Sequence, residues 1–474
     1  MKKQKQPDLM LEAVRALSRD LKTNDYVAGT AQFTDMTNTD YFLKVYGERV
    51  RFCKPWNKFL IWDGKRWKLD EYGEVGFLVD ELIRNMYKGA REIKDPLLRI
   101  DFERHIKKCE SLRRRKALLE SVSMSRKVMI TNEQLDENRF LFNCENGAIN
   151  LLDGTFRKHS ETDFSTKCSK FIFDPKAVCP TWDRFLLQIM NKDLELIYYL
   201  QKVMGYALTA DVSEQVLFIL WGAGANGKST FLNVILDLMG DYSGTTSSET
   251  FMKGKSDGMS NDLARLRGLR LVSTSETEQG KRLSETLVKQ ATGQDKLMAR
   301  FLYGEYFEFY PTFKIFMATN HKPTVKGNDY GIWRRIRLIP FTVTIPPEER
   351  DKDLFAKLKA ENSGILNWLL RGCEMWRKEG LGSAVSVEAA TEEYRNDMDT
   401  VGQFINDCFI VEATPITRVT NKELYELYYK WCSRNNEKAI SQKLLTLRLQ
   451  EKGFVRKVSS GERYWKGFRL REFV

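Results

Sequence analysis

The sequence predicts an α/β fold with a parallel-sheet core, a mixed α/β region before it and a small helix-and-hairpin module after it. Three observations support this class. The apolar run at residues 216–221 is typical of a buried strand, and the glycine-rich loop at 222–229 follows it directly. Helical periodicity then runs over 230–239. Near the end of the chain, two helical patterns precede two short β-rich runs at 453–458 and 464–470.

Length and charge bound the organisation of the chain. Its 474 residues suggest about three domains. The composition along the chain divides it more finely, into an N-terminal mixed region (1–135), strands with a helical collar (136–211), a core (212–345), a helical linker (346–399) and a C-terminal module (400–474). The net charge of +12 suits a nucleic-acid partner but is weak support alone.

Cysteine usage and apolar runs indicate the compartment. None of the eight cysteines forms a C-x-x-C pair and the chain has three histidines, which argues against a zinc site and favours a reducing compartment. The basic first residues are followed by charges at helical spacing, not by the apolar segment of a signal peptide. No apolar run is long enough to span a membrane, so we expect a soluble cytoplasmic protein without a membrane partner.

The elements before the core follow from their patterns. Residues 59–67 predict a hairpin with an Asp-Gly turn, 75–89 and 96–123 predict helices, and 141–151 predicts two strands around an Asn-Gly turn. Helices are expected at 182–190 and 193–208. The second early helix is basic, and its face fits a solvated surface as well as a DNA-facing patch; the residues are Arg104, Lys107, Lys108, Arg113, Arg114, Arg115 and Lys116.

The glycine-rich loop is a complete phosphate-binding P-loop, G-x-x-x-x-G-K-[ST], between a strand and a helix. Its backbone N–H groups and the helix N-terminus attract phosphate oxygens. Lys228 is expected to reach the β- and γ-phosphates, and the Ser229 hydroxyl to ligate Mg²⁺. ATP and Mg²⁺ are therefore the expected cofactors. A turn that binds nothing is disfavoured because motif and context agree. The candidate binding residues are Gly222, Gly224, Asn226, Gly227, Lys228, Ser229 and Thr230.

Polar residues after two later strands complete the candidate site. The run at 269–275 ends in Glu276 and Glu278, and a carboxylate at a strand end next to the P-loop strand would hold Mg²⁺ and polarise water. We assign Glu276 as the main acid, also a metal ligand, and Glu278 as its support; a surface acidic turn is the alternative. Asn320, after the strand at 313–320, could orient the attacking water or could simply serve a turn.

Two arginines and the C-terminal module complete the set of candidates. Arg334 and Arg335 precede a buried strand, where they fit structural cations or a finger that reaches a neighbouring subunit's γ-phosphate. Helices at 422–431 and 441–451 followed by a basic hairpin fit a winged helix-turn-helix, with a plain packing module as the alternative. Its candidate DNA contacts are Lys443, Arg448, Lys457 and Arg463.

The motifs in order resemble the superfamily 3 helicases, hexameric AAA+ DNA helicases of viruses, phages and satellite plasmids. They are the P-loop, Ser-Glu-Thr-Glu at 275–278, Gly-Gln-Asp at 293–295, Ala-Thr-Asn at 318–320 and Trp-Arg-Arg at 333–335. The similarity is strongest to the poxvirus and phage-type primase-helicases. It implies a cis active site of Lys228, Ser229, Glu276 and Asn320, with Arg335 as the favoured finger, Arg334 second, and Lys289 acting across the subunit interface.

The sequence departs from that family in two places. The segment between Asp295 and Phe309 should form the hairpin that lines the central channel, yet its tip lacks the basic pair that relatives carry. Tyr303 could stack on a base and Arg300 could hold phosphate, or both could be core and rim of the hairpin. About fifty residues precede Arg51, too few for the primase domain of many relatives, so no primase activity is assigned.

The resemblance implies an ATP-driven replicative DNA helicase, a homohexameric ring that translocates 3′ to 5′ on single-stranded DNA in the host cytoplasm. Single-stranded and forked DNA are the expected partners, with a separate primase or initiator as a further one. The leading alternative is an origin-binding replication initiator. A packaging motor would be expected to carry a nuclease with clustered carboxylates, which the sequence lacks, and a non-catalytic scaffold would not need Lys228, Glu276 and Asn320.

Overall fold

The structure is a computed structural model that describes residues 33–254, 261–274, 280–326, 330–412, 417–459 and 461–471. The chain forms two compact units, which meet in sequence between Phe173 and Asp174. The finer division into five segments stays a prediction. Within the described residues, no helix is long and apolar enough to cross a membrane.

The first unit is built on a four-stranded sheet of order β3-β2-β1-β4, packed with amphipathic helices. Its helices are α1 (Asp35–Tyr46), α2 (Glu74–Ala90), α3 (Pro96–Cys109) and α4 (Leu112–Ser123). Its sheet strands are β1 (Val50–Cys53), β2 (Lys58–Trp62), β3 (Trp67–Leu69) and β4 (Met129–Ile130). The predicted Asp-Gly hairpin is confirmed, since β2 pairs antiparallel with β3.

The predicted single helix over 96–123 is wrong, because the chain breaks between α3 and α4. Ser111 caps α4 by accepting a hydrogen bond from the backbone N–H of Arg114. Three arginines of the basic face form ion pairs, which favours the solvated-surface alternative for them: Arg104 with Asp101, Arg114 with Asp35 and Arg115 with Asp80, at 3.2, 3.4 and 2.9 Å. Such exposed pairs contribute little stability.

A second, three-stranded sheet completes the first unit. Its strands are β5 (Leu141–Cys144), β6 (Gly147–Asn150) and β7 (Phe156–Arg157), in the order β5-β6-β7. The two strands predicted at 141–151 are confirmed as an antiparallel pair in which Cys144 lies opposite Gly147. A Cβ atom at Gly147 would lie 2.4 Å from the Arg157 carbonyl oxygen, so the close approach of β7 requires glycine there.

The second unit contains a five-stranded sheet of order β14-β8-β13-β10-β9, in which every neighbouring pair is parallel. The strands are β8 (Leu217–Trp221), β9 (Ser243–Thr246), β10 (Leu271–Thr274), β13 (Lys314–Thr319) and β14 (Ile336–Pro340). Leu217 to Leu220 are fully buried, as expected for a parallel strand covered on both faces. The predicted parallel-sheet core is therefore confirmed.

The order of this sheet corrects one expectation. The strand that precedes Glu276 was expected beside the P-loop strand, but β13 lies between β8 and β10. The pattern of a single strand cannot reveal this order, because long crossovers set it. The strand next to β8 is thus the one that ends before Asn320.

Helices surround the sheet. They are α5 (Pro180–Ile189), α6 (Leu194–Ala207), α7 (Lys228–Met239), α8 (Asn261–Arg265), α9 (Glu285–Ala291), α10 (Tyr330–Trp333), α11 (Leu354–Ala360), α12 (Asn362–Glu379) and α13 (Val385–Met398). Helices α6 and α12 touch backbone to backbone, since a Cβ at Gly205 would lie 2.0 Å from the Cys373 nitrogen. The helices predicted at 182–190 and 193–208 are confirmed, and the segment predicted as a helical linker at 346–399 contains α11, α12 and α13.

Between Asp295 and Phe309 the predicted hairpin is present. Strands β11 (Leu297–Arg300) and β12 (Tyr306–Phe309) pair antiparallel. Tyr303 lies at the tip in the left-handed backbone region, with φ of +61°, and is 99% exposed. Phe301 stacks on Phe307, with ring centroids 5.4 Å apart.

The C-terminal module has its own core around Phe404, Tyr428 and Trp465. Its elements are α14 (Thr400–Cys408), α15 (Asn421–Arg434), α16 (Gln442–Glu451), β15 (Phe409–Val411), β16 (Arg418–Thr420), β17 (Arg456–Ser459), β18 (Glu462–Lys466) and β19 (Phe468–Leu470). The predicted single strand at 464–470 is wrong. Gly467, with φ of +86°, divides it, so β18 pairs with β16 and β17 while β19 pairs with β15.

Candidate functional site

The loop between β8 and α7 wraps back on itself. Gly224 and Gly227 have φ of +109° and +81°, a region that glycine enters without strain. A Cβ atom at Gly222 would lie 2.2 Å from the carbonyl oxygen of Phe341, so the loop passes directly against the end of β14. The Ile345 N–H donates to the Ala225 carbonyl at 2.8 Å and holds the outer side of the loop.

Lys228, the first residue of α7, is 4% exposed and points back into the loop. Its Nζ donates to the Gly222 carbonyl at 2.8 Å, to Asn226 Oδ1 at 2.9 Å and to Asn320 Oδ1 at 3.1 Å. Asn226 is itself held because its Nδ2 donates to the Phe341 carbonyl at 3.2 Å. The structure therefore brings the loop lysine and Asn320 together.

Asn320 reaches Lys228 because of the sheet register. Thr319 lies opposite Trp221 in the parallel pair of β13 and β8, so both strands end at the same level. The Trp221 Nε1–H donates to the Asn320 carbonyl at 3.2 Å, which fixes the backbone at this point. The carboxyl ends of neighbouring parallel strands are where ligands bind in open α/β sheets.

A cavity of about 550 Å³ opens beside Ser229, which is exposed in the first turn of α7. Its lining is rich in hydroxyl groups and includes one carboxylate and one guanidinium. The lining residues are Ser229, Leu232, Asn233, Leu236, Thr245, Thr246, Ser247, Asp262, Arg265, Ser273, Thr274 and Ala318. Half of these residues belong to β9, β10 and α8, and of these three elements only β10 was singled out from the sequence.

A second cavity, of about 640 Å³, lies on the other side of the loop. Ala225 and Gly227 of the loop and Thr230 of α7 line it together with α5 and the segment at 345–354. Gln188 Nε2 donates to Glu349 Oε2 at 3.2 Å between these two walls. The remaining lining residues are Thr181, Arg184, Phe185, Gln188, Ile345, Glu349, Arg350, Asp351 and Leu354. Sequence reasoning missed this set because only tertiary packing brings α5 to the loop.

Glu276 and Glu278 lie outside the described residues. The described part of their strand ends at Thr274, which lines the cavity beside Ser229. The roles of both carboxylates therefore stay predictions.

The two candidate arginines differ sharply in their surroundings. Arg335 is 9% exposed and is held within its own chain: its Nη1 donates to the Gly331 carbonyl at 2.6 Å and its Nε to Thr292 Oγ1 at 3.2 Å. Arg334 is exposed, and its Nη2 donates to Gln215 Oε1 at 2.7 Å. The geometry thus favours a structural role for Arg335 and leaves Arg334 the better placed to reach a neighbour. Lys289 is half-buried on α9.

The predicted DNA contacts fall on two separate surfaces. On the hairpin, the Arg300 guanidinium lies 4.8 Å from the Tyr306 ring centroid and Tyr303 projects at the tip. In the C-terminal module, Lys443, Lys457 and Arg463 are exposed.

Arg448 differs from these three residues. Its Nη1 pairs with Glu451 at 2.9 Å and its Nη2 donates to the Lys326 carbonyl at 3.3 Å. These contacts hold Arg448 against its own chain, so it is the least accessible of the four predicted contacts in the module.

Comparison with known proteins gives three partial family matches. Residues 39–191 match a family described as D5 N terminal like, residues 220–335 match a family of unknown function, and residues 396–467 match a family described as Poxvirus D5 protein-like. The apo structure of the NrS-1 C terminal region has a similar fold, with a TM-score of 0.50 at 10% identity, and covers 89% of this chain and 96% of that one.

Relatives occur in large DNA viruses. A provisionally named helicase of Acanthamoeba polyphaga mimivirus is 29% identical over 324 residues, which are 64% of this chain and 34% of that protein. A provisionally named primase of African swine fever virus is 23% identical over 337 residues, with the same two shares. The chain thus spans about a third of the length of these relatives. The resemblance drawn from the motifs is confirmed: this chain carries regions that match the D5 N terminal like and Poxvirus D5 protein-like families, and it has relatives named as helicases and primases of large DNA viruses.

Proposed function

We propose that this chain is the ATP-driven motor of a DNA replication helicase, with an AAA+ P-loop core that hydrolyses ATP. The observation that carries the proposal is the position of Lys228, whose buried ammonium is shared between the loop and Asn320. A lysine charge focused by a glycine loop at a strand end suits the β- and γ-phosphates of a nucleotide. The viral relatives support the same function through their names.

The two cavities that flank the loop support one orientation of the nucleotide. The terminal phosphates would face Lys228 and the hydroxyl-rich cavity beside Ser229, and the nucleoside would enter the cavity at Thr230. Ser229 and Glu276 would hold Mg²⁺, which when bound neutralises charge on the phosphates. Glu276, with Glu278 beside it, would polarise the attacking water and Asn320 would orient it.

Assembly and DNA contacts complete the proposal. A homohexameric ring would place an arginine from one subunit at the phosphate of the next, and the exposed Arg334 fits this role better than the buried Arg335. Tyr303 and Arg300 would meet single-stranded DNA through stacking and phosphate contact. The C-terminal module would act as a winged helix that contacts duplex DNA at a fork.

Unwinding of tailed duplexes tests the proposal. Two substrates share one duplex and differ only in whether the single-stranded tail ends in a 3′ or a 5′ terminus. With ATP and Mg²⁺, the chain should displace a strand from the 3′-tailed substrate and leave the 5′-tailed one intact. If the chain hydrolyses ATP but displaces a strand from neither substrate, it is an ATPase and the helicase proposal is wrong.

The second candidate function is an origin-binding initiator. The observation in its favour is the basic C-terminal module, which has a hydrophobic core of its own and three exposed cations suited to duplex phosphates. An initiator would bind blunt duplex DNA with sequence preference and melt it without processive unwinding. Competition of specific against random duplex DNA separates the two functions.

A further inference from the structure

Asp262 lines the cavity beside Ser229 from a wall that none of the motifs covers. It belongs to the short helix α8, and its side chain is half-buried. Among the described residues that line this cavity, Asp262 provides the carboxylate. Ser229 lines the same cavity.

The position of Asp262 is fixed by its neighbours. Leu263 and Ala264, which follow it, are 6% and 1% exposed and belong to the core that packs on the sheet. Thr250 Oγ1 lies 3.5 Å from Asp262 Oδ2, and the hydroxyls of Thr250 and Thr246 lie 2.9 Å apart. A carboxylate held on a packed helix can position a ligand, because its orientation does not have to be ordered on binding.

A second observation points to a polar ligand in the same cavity. The Thr274 side chain is 4% exposed, and its Oγ1 has no hydrogen-bond partner among the described residues. Thr274 lies opposite Thr246 in the register of β10 and β9, so both residues stand at the same end of the sheet. A buried hydroxyl without a partner is rare unless water or a ligand satisfies it. A polar cavity of about 550 Å³ has room for such waters.

We propose that Asp262 is a positioning residue that holds, through water, the divalent cation expected at Ser229; this inference rests on the proposed function. Mg²⁺ selects oxygen ligands, keeps several of its waters and binds proteins through one or two carboxylates and the substrate phosphates. The groups on the cavity wall fit that preference, since Ser229, Thr246, Thr274 and Asp262 all offer oxygen. Asp262 accepts hydrogen bonds from the water shell of the ion and leaves direct ligation to others.

Binding of a fluorescent ATP analogue tests this role without relying on turnover. The Kd is measured in EDTA and across a Mg²⁺ titration. For Asp262→Asn the Kd in EDTA should match the wild type, while the Mg²⁺ concentration that gives half the tightening should rise by about 10-fold or more, the range typical when a metal site loses an outer hydrogen-bond partner. Asp262→Glu keeps the negative charge, so the Mg²⁺ concentration that gives half the tightening should lie close to the wild-type value.

Glu249→Gln is the matched control, because Glu249 lies on the neighbouring segment and pairs with Lys281 at 3.0 Å. It should leave the titration unchanged. Thr274→Val should shift it in the same direction as Asp262→Asn, which provides an independent variant. Wild-type Mg²⁺ dependence in Asp262→Asn overturns this inference alone. Absence of nucleotide binding by the wild type, with or without Mg²⁺, overturns the proposed function as well.

Discussion

Lys228 combines a positive charge with nearly complete burial, which is costly unless every donor finds an acceptor. The Gly222 carbonyl and the side chains of Asn226 and Asn320 supply such acceptors. All three are neutral oxygens, and a negatively charged phosphate oxygen attracts the ammonium more strongly than a neutral oxygen does. An incoming phosphate would therefore compete for the ammonium, and Asn320 would be released toward the attacking water.

Lys228→Ala should abolish ATP hydrolysis, with a loss of at least about 10²–10³-fold, because the charge acts where phosphate charge develops in the transition state. A phosphate-release assay at saturating ATP measures it. Lys378→Ala is the matched control, since Lys378 is exposed and pairs only on the helix surface with Glu374. Turnover in Lys228→Ala equal to that of the control would contradict the assignment of the loop.

Arg334 and Arg335 should separate into a trans-acting and a structural residue. Arg334→Ala should keep its Tm and its ATP affinity and lose about 10³–10⁵ in turnover, as expected for an arginine finger. Arg335→Ala removes the hydrogen bonds that the guanidinium donates to Thr292 Oγ1 and to the Gly331 carbonyl, so it should cost about 1–3 kcal/mol of unfolding free energy. Thermal melts and ATPase assays on both variants measure the difference.

Mixing experiments decide whether an arginine acts across subunits. Arg334→Ala subunits combined with Lys228→Ala subunits, each inactive alone, would form some interfaces with an intact loop and an intact arginine. Partial return of ATPase activity is expected for Arg334 and not for Arg335. If ATPase activity returns with Arg335→Ala subunits instead, Arg335 is the finger, as the sequence analysis favoured. If mixed rings form and activity returns with neither variant, these two arginines do not complete a shared site.

At the scale of elements, α8 connects the cavity beside Ser229 to the hairpin. Asp262 and Arg265 line the cavity, while the side chain of Asn261 accepts a hydrogen bond from the Leu302 N–H at 3.2 Å, next to the tip residue Tyr303. Such a bond contributes about 0.5–1.5 kcal/mol. One short helix therefore touches both the candidate phosphate site and the candidate DNA contact.

Asn261→Ala should leave basal ATPase activity unchanged and reduce its stimulation by single-stranded DNA by about 2–10-fold, the factor that corresponds to loss of one hydrogen bond. ATPase rates with and without oligonucleotide measure it. Glu308→Gln on the body of the hairpin removes only an exposed pair with Lys296 at 3.3 Å and should behave as the wild type. Unchanged stimulation in Asn261→Ala would show that α8 does not hold the hairpin in its working position.

The C-terminal module should bind duplex DNA. Removal of the residues after about 400, or the triple variant Lys443→Glu, Lys457→Glu and Arg463→Glu, should weaken duplex binding and keep basal ATPase activity. For every DNA phosphate that the variant no longer neutralises, the slope of log K against log salt should become shallower by about 0.9. Equal affinity and equal slope in both variants would mean that the module packs and does not bind.

Features that depend on residues close together in the sequence were mostly predicted, and features that depend on residues far apart in the sequence were mostly missed. The strand, loop and helix at 217–239 are local, so the motif located them, and Asn320 was found because it follows an apolar strand. Strands β15 and β16 were not predicted, because each has only three residues and pairs with a strand distant in sequence. The break before α4 depends on one serine cap inside a continuous charged pattern.

At the scale of the whole molecule, the chain combines a parallel sheet, a glycine loop with two flanking cavities and a C-terminal module with exposed cations. Asp262 and the α5 wall of the second cavity could not be predicted, because tertiary packing alone brings them to the loop. The buried contacts of Arg335 were likewise hidden, since arginine spacing says nothing of burial. Three partial family matches together cover much of the chain.

The central claim is that this chain hydrolyses ATP at the Lys228 loop and that DNA drives the rate. The most direct measurement is ATP turnover by the purified chain with and without single-stranded DNA, beside Lys228→Ala. We predict Mg²⁺-dependent turnover that rises on addition of DNA and vanishes in the variant. Turnover that DNA does not change, or that persists in Lys228→Ala, would contradict the claim.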